Sequence, residues 1–182
     1  MLEVKLKAKV LSLEPFYERV QRIARRSHSG EYVEYFFVNQ GFRKLCEFKI
    51  RSGSRQRKVT LKFPIEKGKL QVNEEHTFSV DNANDFVKIL EFFNFQLHLK
   101  LTKKFSCWKP NEPSERELGV EIMLVTIPAL GNFVEIVAHC KKEELKKARA
   151  RVIELARSLD LAESLWDSRY YNEMQTGAQN KF

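Results

Sequence analysis

Leu2-Glu3-Val4-Lys5-Leu6-Lys7-Ala8-Lys9-Val10 alternates strictly. Val4, Leu6, Ala8 and Val10 take one parity, and Glu3, Lys5, Lys7 and Lys9 take the other. Successive side chains of an extended strand point to opposite faces, so this segment is predicted to be a strand with one apolar and one charged face. An apolar face must pack against something, and the charged face must meet water, a ligand or compensating charge.

Working outward, Phe16, Val20, Ile23 and Ala24 follow Pro15 at helical spacing and predict a first helix. Residues 31–38, rich in Tyr, Phe and Val, read as a strand. Strands over 48–51 and 57–63 flank the turn signal Ser52-Gly53-Ser54, and another covers 70–80. Asp81 or Asn82 caps a helix with Phe86, Val87, Leu90 and Phe93 on one face, and the Phe92-Phe93-Phe95 cluster is expected in the helix-to-barrel core. Strands follow over 95–108, 119–127 and 132–139, separated by a polar, Pro-rich loop at 110–118 and a tight turn at 128–131. A long helix over 141–159 buries Leu145, Ala148, Val152, Leu155 and Leu159. Eight strands with hairpin-length links predict an α+β fold, an eight-stranded antiparallel barrel with flanking helices. Residues 1–174 are expected to form one domain, with 175–182 a flexible tail.

The net charge of +8 over 182 residues favours anionic partners, although solubility alone also explains it. Fourteen Phe supply a large core without disulfides. Cys46, Cys107 and Cys140 are scattered, with no CxxC pair, which argues against structural zinc and for a reducing compartment. The first residues carry no apolar signal core, and the longest apolar run, 122–130, is too short for a bilayer. A cytoplasmic protein without membrane contact is expected. His28, His76, His98 and His139 have no metal-site spacing and read as surface or partly buried residues. Arg25-Arg26 and Arg55-Arg57-Lys58 are solvated faces or, alternatively, RNA contacts. No P-loop, GxGxxG, Ser/His/Asp or Cys/His constellation appears.

Charged residues recur at i, i+2 inside the strands: Glu3 with Lys5, Lys49 with Arg51, and Glu75 two before Thr77. If the sheet closes, such faces line a lumen wide enough for one small ligand. Lysines and arginines there would neutralise a polyphosphate, Arg through forked hydrogen bonds and Lys as a point charge. Carboxylates on the same wall would repel phosphate unless a divalent cation stood between them.

Glu3-Val4-Lys5 resembles the second half of an ExExK signature, Phe48-Lys49-Ile50-Arg51 an LRIR strand and Thr60-Leu61-Lys62 an LTxK strand. Residues 75–81 resemble an ExE strand, Lys103-Lys104-Phe105 a KxR strand, 130–136 an LGxFxEIE turn and strand, and 169–174 a SYLELL-type end. Taken in order, these resemble the CYTH, or triphosphate-tunnel, superfamily, closest to its archaeal and class IV adenylyl cyclase-like members. The resemblance implies a metal-dependent triphosphatase or cyclase-like enzyme. Its substrate would be ATP, thiamine triphosphate or inorganic triphosphate, with Mg²⁺ or Mn²⁺. It implies phosphate contacts at Lys5, Lys49, Arg51, Lys62 and Lys103, and metal-side carboxylates at Glu3, Glu75 and Glu135. The pattern is broken at Met1, Thr77, Val125 and Val137, where acids are expected, and at Phe105, where Arg is expected. Such thinning of the acids favours, as the alternative, an inactive module that binds polyphosphate, nucleotide or RNA.

Overall fold

The computed structural model of the chain describes residues 1–39, 41, 47–53, 57–112 and 118–179. Cys46, Ser54, Arg55, most of the loop expected at 110–118, and the last three residues of the expected tail lie outside them. Eight strands are present: β1 (Leu2–Val10), β2 (Ala24–Val38), β3 (Glu47–Gly53), β4 (Arg57–Lys67), β5 (Gln71–Ser79), β6 (Gln96–Pro110), β7 (Glu121–Ile127) and β8 (Gly131–Cys140). They close into a barrel in the order β1-β5-β4-β3-β2-β6-β7-β8, every neighbouring pair antiparallel. The helices are α1 (Glu14–Ile23), α2 (Ala83–Phe92), α3 (Leu145–Ser158) and α4 (Tyr171–Gln179). None among the described residues is long and apolar enough to cross a membrane.

The alternation read from β1 sets the whole architecture. Val4, Leu6, Ala8 and Val10 face outward and join Ile122, Leu124, Val134, Ile136 and Ala138 of β7 and β8. Phe16 and Val20 of α1 and Ala148, Val152, Leu155 and Ala156 of α3 cover them, so the main core lies between barrel wall and helices. A second outer core joins Phe37, Phe48, Ile50 and Val59 to Leu90 of α2. Asn82 is the α2 cap, its side chain accepting from the backbone N–H groups of Asn84 and Asp85. The tight turn between β7 and β8 places Gly131 at φ 99°, a conformation that costs glycine least.

Three expectations need correction. β2 starts at Ala24, directly after α1, rather than at residue 31. Its first half pairs with 104–110 of β6, ahead of the stretch from Tyr32 that pairs with β3, and is exposed throughout 25–31, so no apolar alternation marks it. Phe92 and Phe93 are not core: they are 82% and 61% exposed. The barrel-facing stripe of α2 runs through Phe86, Val87 and Leu90, and residues two or three beyond Leu90 turn away from it. Phe95 does pack inward, its ring 5.4 Å from that of Phe48. The tail expected from residue 175 begins within α4, which Tyr171 and Met174 anchor to the barrel interior.

Candidate functional site

Strand parity turns one side chain in two into the lumen, and cross-strand registers place the charged ones side by side. Glu3 lies opposite His139 on β8 and Asn73 on β5, and Lys7 opposite Glu135. Lys62 lies opposite Glu47 and Glu75, Arg51 opposite Glu34, and Lys49 opposite Phe36. One end of the lumen is filled by an apolar floor of Phe36, Leu99, Leu101, Val125, Ile127 and Phe133, capped by Tyr171 and Met174 from α4. The Phe133 and Tyr171 rings meet edge to face at 5.0 Å. The segment leading into α4 is tied along this end: Gln71 Nε2 donates to the Ser168 carbonyl at 2.6 Å, and the Tyr170 hydroxyl donates to Asn73 Oδ1. The other end is open, and there the side chains of Arg51 and Glu75 are 39% and 20% exposed.

Between floor and mouth is a cavity of about 120 Å³. All eight residues singled out in the sequence, Glu3, Lys5, Lys49, Arg51, Lys62, Glu75, Lys103 and Glu135, line it. Five further groups had been missed. Lys7, Glu47, Glu121 and His139 also line it, and Glu34, buried behind it, pairs with Lys49 and Arg51. Thr77, at an expected acid position, hydrogen bonds Glu75 and Thr60. Val125 has become part of the floor, and Val137 lines the cavity between Glu135 and His139.

The interior expected to be basic is charge-balanced. Six cations (Lys5, Lys7, Lys49, Arg51, Lys62, Lys103) stand against six carboxylates (Glu3, Glu34, Glu47, Glu75, Glu121, Glu135). Lys62 Nζ donates to both oxygens of Glu3, at 2.8 and 2.6 Å, and lies 2.9 Å from Glu75 Oε2. Lys49 Nζ lies 3.2 Å from Glu34 and 3.1 Å from Glu47, while Arg51 donates to Glu34 at 3.0 and 3.3 Å. Lys103 donates to Glu135 Oε1 at 3.1 Å, and Lys5 bridges Glu3 and Glu135 at 3.7 and 3.8 Å.

Burial alone would push every one of these carboxyls up and every ammonium down. For Glu3 the charges of Lys5 and Lys62 override burial and hold the carboxyl well below its usual range. Lys49 and Arg51 do the same for Glu34, and Lys103 and Lys5 for Glu135. Lys5, Lys49, Lys62 and Lys103 are raised in turn: burial acts against their charge, and the facing glutamates outweigh it. Lys7 alone is different, for burial pushes it down to about 7 and Glu135 only partly restores it.

Among the described residues Glu135 Oε2 is buried without a hydrogen bond, 3.8 Å from Lys5 Nζ, whereas Glu75 Oε2 is held in the ion pair with Lys62 at 2.9 Å. One ligand atom from each of Glu3, Glu75 and His139 lies within 4.8 Å of the others. Two carboxylates and an imidazole offer the oxygen and nitrogen donors that fit a divalent cation. The third carboxylate given a metal role, Glu135, lies deeper and outside this group.

The closed barrel with its charged lumen is the fold of the CYTH, or triphosphate-tunnel, proteins, and this chain has that fold. It is similar over 94% of its length to 98% of a conserved hypothetical protein from Pyrococcus furiosus, with a TM-score of 0.80 and 21% identity. A Vibrio parahaemolyticus protein described as a candidate adenylate cyclase matches 97% of this chain over 98% of its own, with a TM-score of 0.81 and 18% identity. A Hippeastrum protein described as having a dominant triphosphatase activity matches 97% of this chain over 95% of its own, with a TM-score of 0.65 and 10% identity. No family model matches the sequence. No curated protein matches it.

Proposed function

We propose that this chain is a CYTH-superfamily enzyme that draws a triphosphate-bearing small molecule into its barrel and hydrolyses it with a divalent cation. The observation that supports this most is the convergence of Lys5, Lys49, Arg51, Lys62 and Lys103 on one blind cavity, each beside a carboxylate. In a charge-balanced cavity an anion gains little unless it brings cations or takes the carboxylates' place. Phosphate oxygens would replace glutamate oxygens on the ammonium groups, and the released Glu3 and Glu75 would turn to the cation. Arg51 at the mouth would fork onto the group that enters last, and Lys103 and Lys49 would take the deepest phosphate. Bound there, a divalent cation supplies Lewis-acid neutralisation of the phosphoryl oxygens. Phosphoryl transfer rests almost wholly on such positioning and charge, which a closed wall of fixed side chains provides.

The carboxylate count favours an enzyme over the inactive binding module. Glu34, Glu47 and Glu121 offset the neutral residues at Thr77, Val125 and Val137. The test pairs melting with turnover, using tripolyphosphate, ATP and thiamine triphosphate, each with Mn²⁺, Mg²⁺ or chelator. Stabilisation is expected only when polyphosphate and cation are both present; ligand at about 100 times its Kd adds about 2.7 kcal/mol. Arg51→Ala with Lys62→Ala should remove most of it, and phosphate should be released with turnover. No polyphosphate-dependent shift at low salt would sink the triphosphate reading, and a shift without phosphate release would return the binding module.

A further inference from the structure

Most lumen carboxylates face lysine or arginine, but the mouth adds an imidazole. His139 is half-buried on β8, directly across the antiparallel pair from Glu3. Parity aims it into the lumen, two residues beyond Val137 and four beyond Glu135. Among the described residues no hydrogen bond holds either of its ring nitrogens. By contrast His76, which points away from the lumen, is hydrogen bonded to Glu74 at 3.0 Å. The free imidazole meets two carboxylates, Glu3 and Glu75, both of which are ion-paired with the ammonium group of Lys62. An oxygen without a hydrogen bond, Glu135 Oε2 on a fully buried residue, faces the same cavity.

We propose that His139 gives the Glu3 and Glu75 carboxylates a nitrogen partner, so that the tunnel mouth selects a first-row transition cation such as Mn²⁺ over Mg²⁺. Donor atoms around a six-coordinate ion stand about 3 to 4 Å apart, given bonds of roughly 2.1 Å. The observed spread of up to 4.8 Å is within about 1 to 2 Å of that spacing, a gap that rotation of the side chains would have to close on binding. Mg²⁺ prefers oxygen and water throughout, whereas imidazole suits the transition series, in which affinity rises from Mn²⁺ towards Cu²⁺. The arriving ion displaces Lys62, which now holds Glu3 at 2.6 Å and Glu75 at 2.9 Å, and turns its ammonium towards the lumen. The cation therefore also frees a phosphate-binding group, so the inference rests on and deepens the triphosphate reading.

Its test needs no phosphate. The chelator-stripped full chain is titrated with Mn²⁺, and with Mg²⁺ in competition, and the Mn²⁺-bound form is examined by electron spin-echo modulation for coupled ¹⁴N. Nitrogen modulation is expected in the wild type and in His76→Ala. It should vanish in His139→Gln, with Mn²⁺ affinity falling at least about tenfold while Mg²⁺ affinity changes far less; even removing support behind a ligand costs 10–100-fold. Absence of nitrogen modulation in the wild type, its persistence in His139→Gln, or an unchanged Mn²⁺ to Mg²⁺ preference overturns the proposal. Should His139→Gln fail to fold, the wild-type and His76→Ala spectra still decide. Stabilisation by tripolyphosphate with Mg²⁺ but no nitrogen signal would sink this inference alone. A nitrogen signal without any polyphosphate stabilisation would sink the triphosphate reading alone.

Discussion

Lys7 is the lumen cation whose charge the fold does not support. It sits at the closed end, donating to the Arg169 carbonyl, 4.0 Å from Met174 Sδ and 4.3 Å from the centre of the Tyr171 ring. Burial pushes it from 10.5 down to about 7; Glu135 and Asp167 oppose the shift, while Lys5 and Lys103 reinforce it. Between those values the unfolded chain carries a proton that the native chain has released. Stability therefore rises with pH across that window. One unit of displacement is worth about 1.4 kcal/mol, so titrating this group from pH 7 to pH 9 should add roughly 2 kcal/mol. The window is clean. Lys5, Lys49, Lys62 and Lys103 are raised, so their contribution stays intact up to their unfolded values near 10.5 and is lost only above. Cys107, pushed up to about 12 by burial, and Cys140, also raised, oppose the trend only above about 9. With a urea dependence of 1–3 kcal/mol per M, the unfolding midpoint in chelator should rise by about 1 M from pH 7 to pH 9. Lys7→Met keeps the length and apolar contact of the side chain, and its midpoint should stay flat. A wild-type midpoint that does not rise, or an equal rise in Lys7→Met, would refute the reasoning.

Glu34→Ala leaves Lys49 and Arg51 facing an empty buried position and should cost about 3–5 kcal/mol in urea melts. Glu3 and Glu34 are held below the usual carboxylate range, so the stability they contribute is present above about pH 4.5 and lost as pH falls through their native values. Glu34→Gln should therefore flatten the acid limb of the stability profile, measured by midpoints at pH 3 to 6. Phe92→Glu should change stability by less than about 0.5 kcal/mol, because the side chain is 82% exposed and its ring meets the exposed ring of Phe93. Phe133→Ala, in the barrel floor, should cost about 3–5 kcal/mol in the same assay.

The barrel was legible because β1 writes its two faces in nine residues and every later strand repeats the rule with less clarity. The eight lumen residues named from the sequence came from two-residue spacing around recognisable motifs. The five that were missed obey the same spacing. Lys7 follows Lys5 by two, Glu47 precedes Lys49 by two, and His139 follows Val137 by two. Glu34 was hidden because Tyr32 and Phe36 flank it on the same face, so the strand reads as apolar on both sides. What spacing cannot supply is cross-strand register. Nothing local announces that Glu34 stands opposite Arg51, or His139 opposite Glu3. α4 was missed for another reason: its nine residues include Gly177, and among the residues whose burial is described its deeply buried anchors are Tyr171 and Met174.

The barrel is sealed by pairing β1 with β8, that is, by joining Leu2 to Cys140. On a ribosome adding 5–20 residues per second, the first strand waits roughly 10–30 s for its last partner. Over that interval β1 presents an unmatched edge, the kind of backbone that recruits other chains. Lysine on alternate residues is what discourages such recruitment. Lys5, proposed to grip phosphate in the finished protein, would thus already act during synthesis beside Lys7 and Lys9, keeping an incomplete sheet apart from its neighbours until the ring can close.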